Sequence, residues 1–190
     1  MSHKDLPVDP TVINWINRPA RDGRLIRANF VAVRRYSAGK LAAVHPLPPK
    51  QLLLQACRGL PPEDHPVLRS AGLLADLHER RLTAEAGATA PIDHDRVRLV
   101  LDIDRWVAAE LPKADRDAHL HTETVGTVVD RLAQFSALAY LTLAMSPDDA
   151  IQEAAQRLTE LAIAYEHLAG DLAAGRRRLP NLTGNREYEY

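Results

Sequence analysis

The residues best suited to chemistry fall in and around the stretch HLHTETVGTVVDRLAQFSALAY, residues 119–140. Glu123, Thr127, Asp130 and Gln134 recur at intervals of four, three and four, so on a helix they share one face. Arg131 projects about 100° away from Asp130, beside Thr124, Val128 and Phe135. Two other ionisable side chains break apolar stripes: His78 follows Val67, Ala71 and Leu74, and Asp104 interrupts Val97, Val100, Val107 and Leu111. An ionic group taken out of water needs a partner, because its desolvation is costly. A central cluster of His78, Asp104, Asp130 and Arg131 is therefore expected.

Such a cluster supports two readings. In the first it lines a pocket where His78, Asp104 and Asp130 exchange protons as the catalytic set, while Arg131, Glu123, Gly126 and Gln134 bind a small anionic or polar metabolite. In the second it is a static network: Arg131 bridges carboxylates from neighbouring helices, and His78 hydrogen-bonds to one of them and fixes the register. Gly126 bears on both. A glycine in a first helical turn costs on the order of 1 kcal/mol relative to alanine, which makes sense where another backbone or a ligand comes close. The free amides of that helix start suit an anion, although Glu123 competes for the same positive potential.

Other chemistries lack their motifs. HLHTE does not by itself specify a metal site, there is no HExxH, ExxH or paired CxxC, and HERR at residues 78–81 is no substitute. A ferritin-like di-metal centre needs carboxylates from four helices and two ExxH units; no metal and no cofactor is expected. Gly-rich phosphate loops and dinucleotide fingerprints are absent. Cys57, with no fixed histidine partner, reads as a small buried apolar side chain. Arg176, Arg177 and Arg178 read as cations favoured at a helix C-terminus.

These residues need a frame, and the punctuation of the sequence supplies one. Pro66 opens a helix after Asp64 or His65 that runs to about Glu85. A second runs from about Asp93 to Leu111 and stops at Pro112, with Val97, Val100, Leu101, Val107 and Leu111 as most of its buried face. Thr122 caps a third that continues to Met145. Ser146, Pro147 and Asp149 start a fourth, which carries Ile151, Ala155, Leu158, Leu161, Tyr165, Leu168 and Leu172 inward and ends at Gly175. The fold class expected is all-α, an up-down four-helix bundle over residues 61–178. An N-terminal extension, residues 1–60, carries a β-hairpin over 28–44 (FVAVRRY, then SAGK as the turn) and a short helix over 49–58; residues 179–190 form a tail.

The chain has 190 residues and a formal net charge of −1, yet residues 1–60 carry ten Lys and Arg against three Asp, while the remainder carries fourteen basic and twenty-two acidic groups. A basic first third beside an acidic body suggests docking within the chain or self-association as a homodimer, with a nucleic-acid surface disfavoured for want of any accompanying motif. No run of eighteen apolar residues and no secretory signal pattern is present, and a lone cysteine suits a reducing compartment. A cytoplasmic location and no membrane partner are expected.

LLADLHERR in the first long helix, DIDRW in the second, TETVGTVVDRL in the third and DLAAGRRR at the end of the fourth together resemble the bacterial helical family catalogued as domain of unknown function family 4254, over residues 73–178. The resemblance implies that His78, Asp104, Glu123, Gly126, Asp130 and Arg131 are family positions and that residues 1–60 lie outside the shared part. It implies no reaction. The expectation carried forward is a helical protein that binds a small polar or anionic ligand through its polar cluster, with catalysis left open. The alternative is a noncatalytic oligomeric scaffold or accessory protein whose cluster is structural.

Overall fold

The structure, a computed structural model, describes residues 46–60, 64–85, 87–145 and 148–180; the expected hairpin over 28–44, most of the basic extension and the tail beyond residue 180 lie outside them. Among the described residues the chain is predominantly helical, with five helices and one parallel pair of two-residue strands. In order these are α1 (Lys50–Cys57), α2 (Pro66–Leu82), α3 (Ala90–Glu110), β1 (His119–Leu120), α4 (Val125–Met145), α5 (Asp148–Ala173) and β2 (Arg177–Arg178).

Local chemistry sets most of the ends. Pro66 stands at the start of α2, where its missing N–H costs nothing, and the N-cap His65 accepts from Val67 N–H through Nδ1 at 3.2 Å. The helix stops at Leu82, three residues before the expected end, where the Thr83 hydroxyl donates to the Glu79 and Arg80 carbonyls. Leu111 is extended, as the residue before a proline favours, and closes α3 at Glu110. Both α1 and α5 end in the same glycine-based motif. Gly59 (φ 72°) donates to Ala56 O and Leu60 N–H to Gln55 O; Gly175 (φ 70°) donates to Leu172 O and Arg176 N–H to Asp171 O. The cap of α4 is Thr124 rather than Thr122: its Oγ1 accepts from Thr127 N–H at 3.2 Å, and its carbonyl accepts from Val128 N–H.

One core joins all five helices. Val67, Ala71 and Leu74 of α2 meet Val125, Val129 and Leu132 of α4, with Ile103 and Val107 from α3 and Leu158 and Tyr165 from α5. Burying each Val, Leu or Ile among them contributes about 1.5–3 kcal/mol. The short helix α1 adds Leu53, Leu54, Ala56 and Cys57 to this core and packs against α2, α4 and α5. It therefore sits beside α5 where a plain four-helix arrangement would place a long helix. The segment leading into it is tied down by Tyr165, whose hydroxyl donates to Pro48 O at 2.7 Å, and by the Lys50–Glu166 ion pair at 3.0 Å.

The inward stripe of α3 differs from the expected one. Val97 and Leu101 are exposed; the buried seam runs through Ile92, Ile103 and Val107, with Val100 and Leu111 partly covered. Apolar residues outnumber the inward positions of this helix, and packing against α2 and α4 selects among them. β1 and β2 pair His119 with Arg177 and Leu120 with Arg178, joining the chain before α4 to the chain after α5.

Candidate functional site

Two separate polar contacts hold α4 against its neighbours. At its first turn, Gly126 N–H donates to Asp104 Oδ1 at 2.7 Å. The helices are so close here that a β-carbon on Gly126 would stand 2.4 Å from the Val100 carbonyl oxygen and 2.8 Å from Asp104 Oδ1. The approach that a glycine at this position implied is made by the backbone of α3. Asp104 brings its own negative charge to the positive end of α4, where an outside anion would otherwise bind. Burial raises the pKa of its carboxyl above the usual value, against the pull of the Gly126 N–H and the Thr124 hydroxyl.

The second contact lies further along. His78 Nε2 is 2.8 Å from Asp130 Oδ1, and Arg96 grips the same carboxylate with both Nε (3.2 Å to Oδ1) and Nη2 (2.7 Å to Oδ2). Arg96 Nη1 reaches on to Asp93 Oδ1 at 2.7 Å, and Arg81 Nε meets that oxygen at 2.9 Å. The chain of contacts His78–Asp130–Arg96–Asp93–Arg81 thus runs from a histidine that is 4% exposed outward to the surface, linking α2, α3 and α4. Burial alone would raise Asp130, but hydrogen bonds from His78 and Arg96 outweigh it and hold the carboxyl below the usual range. Asp93 is likewise lowered, chiefly by Arg81. An ionised Asp130 only accepts, so the proton in the His78 contact sits on Nε2.

The structure brings His78 and Asp130 together, and Asp104 and Gly126 together, but as two sites. Asp104 stands eight residues beyond Arg96 on α3, about 12 Å along the helix axis. Arg131 joins neither site; it is 45% exposed and pairs with Glu123 on the outer side of α4. Gln134 is exposed and Thr127 exchanges a hydrogen bond with Thr124. The cation that Asp130 needed is Arg96, which the sequence reading missed. Its signal was present: Arg96 precedes Val100, Ile103 and Val107 by four, seven and eleven residues, which is the spacing of the buried seam. Elsewhere, Cys57 is buried and burial pushes its thiol up to about 12, which disqualifies it as a nucleophile at neutral pH. Ser136 lies beside that thiol and tempers the effect, but its Oγ makes no hydrogen bond of ordinary geometry.

A family model described as protein of unknown function (DUF4254) matches residues 76–181, more than half of the chain. The chain belongs to the DUF4254 family. All the residues of both polar contacts in this DUF4254 chain, from His78 and Arg81 to Asp130, fall inside the matched span, whereas α1 and the first half of α2 precede it. No curated protein and no solved structure matches. Among the described residues, no group of three or more His, Cys, Asp and Glu side chains is placed to hold a metal ion, and no helix is long and apolar enough to cross a membrane.

Proposed function

We propose that this DUF4254 chain is a noncatalytic helical scaffold or accessory protein whose polar clusters set the packing of α2, α3 and α4. The observation that carries this reading is that each charge from Asp130 out to Arg81 has a partner of opposite sign, while Asp104 is held by the Gly126 N–H. The guanidinium charges of Arg81 and Arg96 offset the carboxylates of Asp93 and Asp130, and Arg131, the cation best suited to hold an anionic metabolite, is engaged by Glu123. Among these described groups two cations stand against two carboxylates, which leaves no surplus positive charge in the network beside His78 to attract a small anion. In this reading the long helices make an up-down bundle with α1 inserted. The protein works in the cytoplasm as a homodimer; what supports the dimer is the charge asymmetry of the sequence, ten Lys and Arg among residues 1–60 against an acidic remainder.

A ligand-binding reading, catalytic or not, is favoured by one feature. A histidine oriented by an aspartate that is itself held by an arginine is arranged as in many proton-transfer sites. Native mass spectrometry of the freshly purified full chain and of its His78→Gln variant separates the two. Polypeptide mass alone in both, with dimers, is the expected result. A small molecule retained by the parent chain and lost from a variant with unchanged melting temperature would overturn the scaffold reading.

A further inference from the structure

We draw no further inference here: the strongest candidate, the apolar strip that Val97 and Leu101 expose on the outer face of α3, carries none because nothing in the structure shows what covers it.

Discussion

Replacing Gly126 with alanine tests the α3–α4 contact at its narrowest point. The added methyl would meet the Val100 carbonyl oxygen at 2.4 Å and the Asp104 carboxylate at 2.8 Å. The first obstacle is backbone, so the helices must separate. Overpacking of this kind costs about 1–3 kcal/mol. Displacing Asp104 also weakens the bond to the Gly126 N–H, a class worth about 1.5–3 kcal/mol. Against this stands the helix-propensity gain of alanine over glycine, roughly 1 kcal/mol. A net loss of roughly 1.5–5 kcal/mol follows, which for a chain of this length lowers the thermal midpoint by roughly 3–20 °C. Gly170→Ala is the control, because nothing stands within 4 Å of a β-carbon built there; it is expected to be neutral or to gain up to about 1 kcal/mol. Urea unfolding followed by circular dichroism reads both. If Gly126→Ala proves as stable as Gly170→Ala, the close approach is not real.

Arg96→Met breaks the grip on a mostly buried carboxylate and is expected to cost about 1–3 kcal/mol, against no more than about 1 kcal/mol for Arg131→Met at the surface; the reverse order in urea titrations would move the anchor of Asp130 to Arg131. The two aspartates should respond to pH with opposite signs. Asp130, depressed in the fold, contributes stability that is complete above the ordinary carboxyl value of about 4 and is lost as pH falls through its lower folded value. Asp104, raised in the fold, destabilises as pH rises from that ordinary value through its folded one. Asp130→Asn should therefore flatten the acid limb of the stability curve, and Asp104→Asn should remove the loss on the rising side while its amide oxygen still accepts from Gly126; unfolding midpoints measured across the acid range show whether either change is absent. Leu53→Ala, in α1 and outside the matched family span, is expected to cost about 2–5 kcal/mol, as a fully buried leucine does. A loss below about 1 kcal/mol would show that α1 is an appendage.

The parts of this structure legible in the sequence are those set by local chemistry. Pro66, Gly59 and Gly175 mark helix ends through backbone geometry that few other residues supply. The stripe of α5 from Ala155 to Leu172 contains its own period. Gly126 is legible for a related reason, since an early glycine costs helix stability unless something needs the space. The neighbour itself is not encoded nearby, and whether it is a ligand or the Val100 carbonyl depends on how α3 lies. Charge partners suffer the same limit. Asp130 announces that it needs a cation, and Arg131 is adjacent in sequence, but one residue along a helix turns the side chain about 100° away. Arg96, thirty-four residues earlier, satisfies it because α3 passes there. Val97 and Leu101 mislead in the opposite direction, since hydrophobic residues are not obliged to be inside.

The short parallel pairing of β1 with β2 joins positions about sixty residues apart in the chain, with the whole α4–α5 hairpin between them. The few backbone bonds of so short a ladder, with His119 N–H to Arg176 O and His121 N–H to Arg178 O at its ends, cannot offset the entropy of closing so long a loop from an open chain. They form once the helices have already brought both ends together, and they open before the helices part. This pairing is expected to act as a clasp fastened last and released first, its amides exchanging with solvent through local fraying faster than the buried amides of α4.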